Sequence, residues 1–148
     1  MAKATRRAWL AGAGASAAAA GFVAPARADP IQLPDPPPGK ALVVFYRNLA
    51  YAAAALTFMV REGQTDLGEL SIGTYFTLVA DPGWHTYTVR AERHDNMQIE
   101  LDADETYYVH FELGTGVLLY QPSLSPAEQW QFLQDSQHGL RQTHLASP

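Results

Sequence analysis

The residues best equipped for chemistry are a few histidines set close to carboxylates and tyrosines. Arg90, Tyr108, His110 and Glu112 fall on the polar side of runs in which polar and apolar residues alternate. If those runs are neighbouring strands, Arg90 and Glu112 form an ion pair beside Tyr108 and His110. Thr86, Thr88, Gln98 and Glu100 then share their face. Such a surface suits a sugar or a peptide, and it equally describes the wet side of a sheet. His85 shares a side with Tyr87, Val89 and Ala91, so it is expected to be partly buried, its ring nitrogens met by backbone groups or a buried water.

The stretch Glu92-Arg93-His94-Asp95 offers oxygen and imidazole donors of the kind calcium or zinc takes. It has neither the EF-hand pattern nor the H-E-x-x-H spacing, and it reads as a solvated turn. A metal-assisted hydrolase built on His85 or His94 is carried as an alternative; no metal and no cofactor is assigned. The chain contains no G-x-S-x-G elbow, no P-loop, no dinucleotide-binding glycine pattern and no S-x-x-K. With no cysteine, disulfides, thiol catalysis and thiolate metal sites are excluded. No catalytic residue is named on this basis.

Short strands are what must position these side chains. ALVVFYR, beginning at Ala41, is a continuous β-branched and aromatic run and reads as a buried strand. Period-two alternation follows in His85–Ala91, Met97–Leu101 and Tyr107–Leu113, which predicts a meander of three neighbouring strands. Thr57–Arg61, Leu67–Leu70, Thr74–Ala80 and Val117–Tyr120 are further strand candidates. Turn signals lie at Glu62-Gly63-Gln64, Asp81-Pro82-Gly83, His94-Asp95-Asn96 and Gly114-Thr115-Gly116. The fold expected is an all-β antiparallel sandwich of seven to eight short strands, immunoglobulin- or prealbumin-like, with one short C-terminal helix. Ser125-Pro126-Ala127-Glu128 signals that helix as cap, first-turn proline and capping-box acid. Trp130, Phe132 and Leu133 are expected to anchor it over an open end or edge of the sheets.

The sandwich is expected to occupy residues 40–137. A proline-rich extended lead-in at 29–39 precedes it and a flexible polar tail at 138–148, with His138 and His144, follows. The segment Leu49–Leu56 is uncharged and apolar where a loop is usually polar. It either packs against the sandwich edge or forms a contact patch, and Tyr51 and Leu56 are its candidates for partner contact.

Several motifs, in order, resemble a bacterial secreted family known as domain of unknown function 2846. They are Gly39-Lys40-Ala41-Leu42 leading into Phe45-Tyr46-Arg47, Gly73-Thr74-Tyr75-Phe76, Pro82-Gly83 with His85-Thr86, and Tyr107-Tyr108. The resemblance runs from about Pro37 to Leu124 and implies a compact envelope β-domain with no established activity. Many relatives look like lipoproteins; without a cysteine, that tethering is not carried over. Asp104-Glu105 stands where the family tends to have a glycine turn.

The first 28 residues read as an export signal. Lys3, Arg6 and Arg7 open it, an Ala/Gly-rich stretch runs from Ala8 to Ala24, and Ala26-Arg27-Ala28 offers an A-x-A-like cleavage site. Thr5-Arg6-Arg7-Ala8-Trp9-Leu10 resembles the twin-arginine signal, with the general secretory route as the alternative. Cleavage near Ala28 removes four positive charges and takes the net charge from −5 to −9. That balance argues against nucleic acid and anionic lipid as partners. The expected product is periplasmic or secreted, free of a membrane anchor and of disulfides. It acts as a non-catalytic binding or interaction module toward an unidentified envelope protein or small ligand. A small-ligand or glycan binder using the Tyr108/His110 face is the first alternative.

Overall fold

The computed structural model describes residues 30–50, 54–90, 94–115, 120–143 and 145. The leader, Tyr51, Glu92 and Arg93, and residues 117–119 of one strand candidate lie outside that set, as do His144 and the side chain of His94. Among the described residues the chain forms nine strands and one helix. The strands are β1 (Ala41–Arg47), β2 (Phe58–Glu62), β3 (Thr65–Leu70), β4 (Thr74–Ala80), β5 (Gly83–Arg90), β6 (His94–Leu101), β7 (Thr106–Thr115), β8 (Tyr120–Ala127) and β9 (Arg141–Gln142). The helix α1 (Gln129–Ser136) lies between β8 and β9. The strands divide into a five-stranded sheet, β8-β7-β1-β4-β9, and a four-stranded sheet, β3-β2-β5-β6. The expected all-β sandwich with a single C-terminal helix is the fold observed. Most pairings are antiparallel; β1 with β7 and β4 with β9 are parallel.

All seven residues of β1 are buried. Ala41, Val43 and Phe45 point between the sheets, where they pack with Val60, Phe76, Tyr87, Val109 and Phe111. Leu42, Val44 and Tyr46 point the other way, into a second cluster with Tyr75, Tyr108, Phe132 and Leu140. The unbroken apolar run of β1 is the pattern of a strand wet on neither face. Two segments cover its outer side. Phe132 of α1 is fully buried against Tyr46, Tyr75 and Tyr108, with ring centroids 5.3–5.6 Å apart. Ile31 and Leu33 of the proline-rich lead-in pack into the same cluster.

This arrangement corrects four expectations. The three alternating runs are not one meander: β5 pairs with β6, while β7 lies in the other sheet between β1 and β8. Period two reports which face a residue takes and nothing about which strand stands beside it. His94, Asp95 and Asn96 belong to β6 rather than to a turn. The helix begins at Gln129, because Ser125, Pro126 and Ala127 pair with His110, Val109 and Tyr108 as the end of β8. Proline is tolerated there because β8 is an edge strand. The helix also lies on a sheet face rather than over an end: Phe132 anchors it, while Trp130 and Leu133 are exposed.

The tail is docked where it is described. Leu140 is buried, Arg141 N donates to Gly73 O and Thr143 N donates to Tyr75 O. Thr143 Oγ1 also donates to Glu69 O on β3. The exposed edge of β4 left backbone groups to be satisfied, and the tail supplies partners that solvent would otherwise supply. At the opposite edge, Asp95 Oδ2 accepts the Leu124 N–H of β8 at 2.7 Å.

Phe132→Ala is expected to lower unfolding free energy by about 3–5 kcal/mol, since it empties the second cluster. Trp130→Ala, on the solvent side of the same helix, is expected to change it by about 0.5 kcal/mol or less. Urea unfolding of both variants checks the pair, and equal losses would contradict the assignment of helix faces.

Candidate functional site

The parallel pairing of β1 with β7 decides the fate of the predicted polar face. Tyr108, His110 and Glu112 do share one side of β7, but Tyr108 is only 8 % exposed, beneath the lead-in and Phe132. His110 stacks on Tyr46 at 4.8 Å. Arg90 stands on the outer face of the other sheet. The expected Arg90–Glu112 ion pair therefore has no geometry to form in, and Glu112 Oε1 instead lies 3.2 Å from His110 Nδ1. Leu49 and Leu56, at the two ends of the apolar segment, are exposed rather than packed. The Leu56 carbonyl accepts from Arg47 Nη1 at 2.7 Å.

His110 is the most constrained polar group on this side. Its Nε2 is buried and finds no hydrogen-bond partner among the described residues. Burial pulls its pKa below the ordinary histidine value; the charges of Glu112 and Asp135 and the hydrogen bond to Glu112 oppose that shift without cancelling it. The reason is geometric. A neutral ring facing Glu112 leaves one lone pair unmet, whereas a charged ring adds an unmet N–H and a desolvated charge. Tyr46, under the same ring, is pushed up to about 12 by burial and by Asp135 and Glu112. A pocket of about 250 Å³ opens beside His110, Glu112 and Arg47. The Arg47 guanidinium sits 5.3 Å from the Phe58 ring centre and 5.4 Å from that of Phe111.

The larger cavity lies elsewhere on the same sheet. A cleft of about 780 Å³ runs between residues 33–36 of the lead-in and the start of β7, with the end of β8 and the first residue of α1 closing its far side. Tyr107 and Tyr108 contribute to its wall, as do Asp35, Asp104, Glu105 and Glu128, and no Lys or Arg is among its lining residues. The root of the lead-in is stitched to the β6–β7 turn: Gly39 N donates to Asp104 Oδ1 at 2.7 Å, and Asp104 N donates to Lys40 O at 2.8 Å. Asp104 adopts φ +65°, the left-handed conformation that a glycine takes without strain. Here its carboxylate bond to Gly39 holds the turn. Tyr107 shares hydrogen bonds with Asp102, and the Gln129 side chain hydrogen-bonds Tyr108. Burial raises the Tyr108 pKa, and that bond partly offsets the shift. Of the candidate contact residues named from the sequence, only Tyr108 reaches this cleft. The lead-in prolines and the acids of the turn gave no chemical signal, because their convergence depends on where the strap lies.

His85 has both ring nitrogens engaged, Nδ1 with Glu62 Oε1 at 2.7 Å and Nε2 with Asp81 O at 2.8 Å. Its ring stacks on Tyr87 at 5.8 Å. That is a fastened ring, with no nitrogen turned toward a substrate. Among the described residues no three His, Asp or Glu side chains are placed to share a metal ion. Comparison with known proteins is empty on all three sides: no family model, no curated protein and no solved structure matches the chain. The likeness to domain 2846 rests on its short motifs alone.

Because burial lowers the His110 pKa in the folded protein, the unfolded chain binds its proton more readily and stability falls as pH drops below about 6.5. His110→Gln is expected to remove that part of the acid-side slope. Denaturant unfolding of wild type and variant from pH 7.5 down to pH 5 reads the difference, and a pH-independent difference would contradict the burial of a neutral ring.

Proposed function

We propose that the mature chain is an exported, non-catalytic binding module of the bacterial envelope that takes its ligand in the cleft beside Tyr107 and Tyr108. The volume of that cleft carries the reading, because about 780 Å³ lies in the range of small-molecule sites. Its lining selects the ligand. Four carboxylates with no lining cation favour a positively charged occupant. The net charge of −9 after cleavage steers cations toward the molecule and anions away. The lead-in along one wall suits an extended ligand better than a compact one.

Asp35 and Glu105 are exposed, so neutralising them leaves the packing intact. The double variant Asp35→Asn/Glu105→Gln is expected to weaken binding of spermine or trilysine by roughly five-fold, about 1 kcal/mol. Calorimetry at low salt, with glutarate as the anionic control, decides it. Equal affinity of the variant, or binding of glutarate alone, would remove the cleft as the site.

The export reading has its own test. Arg6→Lys/Arg7→Lys is expected to leave the precursor in the cytoplasm of a cell fractionated after expression. Undiminished periplasmic product would argue for the general secretory route.

A further inference from the structure

The outer face of the four-stranded sheet carries no helix or strap among the described residues, and one large ring stands on it. Trp84 is 71 % exposed, more than any other large apolar side chain described. Strand alternation puts it there. His85, Tyr87 and Val89 turn toward the core, while Trp84, Thr86, Thr88 and Arg90 share the outer face of β5. The register with β6 sets Trp84 opposite Glu100, Thr86 opposite Gln98 and Thr88 opposite Asn96. Thr88 Oγ1 donates to Asn96 Oδ1 at 2.9 Å. On the other side of Thr88, Arg61 of β2 forms an ion pair with Asp66 of β3.

These rows make a continuous, largely polar surface. Successive outward residues are about 7 Å apart along a strand and about 4.8 Å apart between strands. From Trp84 to Thr88 the surface therefore runs about 14 Å, with a flat aromatic ring at one end and hydroxyl, amide and carboxylate groups over the rest.

Charge and polarity choose the occupant. Arg61 and Arg90 stand against Asp66, Glu69 and Glu100, so the face is within one formal charge of neutral and attracts neither polyanions nor polycations strongly. An apolar protein partner would require a contiguous apolar patch, and the neighbours of Trp84 on the β5–β6 surface are polar. A sugar ring presents apolar C–H groups on its flat face and hydroxyls around its rim. The first stack on an aromatic ring, and the second exchange hydrogen bonds with side chains such as Gln98, Thr86 and Glu100.

We propose that this face is a binding site for a neutral glycan chain, seated on Trp84 and oriented by Thr86, Gln98 and Glu100. The 14 Å span accommodates roughly three sugar rings. The site shares no residue with the acidic cleft, whose one lining residue from this sheet, Ile99, faces the core between Gln98 and Glu100, so either can fail without the other.

Affinity electrophoresis of the mature protein tests it, with dextran, galactomannan or mixed-linkage β-glucan in the gel and polygalacturonate as the acidic control. At least one neutral polysaccharide is expected to retard the protein. Trp84→Ala should lose that retardation on the order of ten-fold. Trp130→Ala, an exposed tryptophan on α1, should keep it, as should Asp35→Asn/Glu105→Gln. Raising NaCl from low to high concentration should leave it unchanged, because the contact is uncharged. No retardation in any neutral polymer, retention by Trp84→Ala, or retardation in polygalacturonate alone would overturn the proposal.

Discussion

β1 must be dry on both sides, and the rest of the molecule is organised by that requirement. Its odd residues fill the space between the sheets and its even residues need a second cover. A two-layer sandwich supplies only the first. The second comes from short pieces outside the strands, the lead-in with Ile31 and Leu33, the helix with Phe132, and Leu140 beyond it. None is long enough to be stable alone; an eight-residue helix is well below the length that persists in water. Each exists because burying Leu42, Val44, Tyr46 and Tyr108 recovers more free energy than ordering the cover costs.

The same requirement generates the cleft and the half-buried histidine. Two separate covers laid on one sheet face leave a gap where they do not meet, and the acidic turn at Asp104-Glu105 lies at that gap. His110 is polar by type but sits at a position of β7 half-covered by its stack on Tyr46. The fold therefore accepts a neutral imidazole with one unmet nitrogen there. The four-stranded sheet is treated differently. None of the described elements packs on its outer face, so its side chains there remain polar, apart from Trp84 and the partly buried Met59.

Legibility in the sequence follows from these contrasts. Thr74–Ala80 and Ala41–Arg47 are legible to the residue, because unbroken β-branched and aromatic content between turn glycines has few other readings. The alternation in β5 and β7 correctly separates inward from outward side chains. It cannot distinguish an outward side facing water from one facing a second cover. Tyr108 and Thr86 look alike in the sequence for that reason, and end up 8 % exposed and freely exposed respectively. The serine and proline before the helix are a sound local signal that strand pairing overrides, since they pair with His110 and Val109, while Glu128 becomes the cap itself in a capping box with Gln131. Trp84 was legible by the same alternation that places Thr86 and Thr88 outward, one residue after the Pro82-Gly83 turn.

The sequence by itself determined the class of fold, the placement of most strands, the absence of thiol chemistry and the strong negative charge. Each depends on residue type and on period along one chain, which are local quantities. Only the tertiary structure decided which strands are neighbours, which polar face is covered, and that the acidic cleft and the tryptophan surface have no residue in common. Those outcomes depend on contacts between segments far apart in sequence. Many arrangements bury the same residues equally well strand by strand, and only packing of the whole chain selects among them.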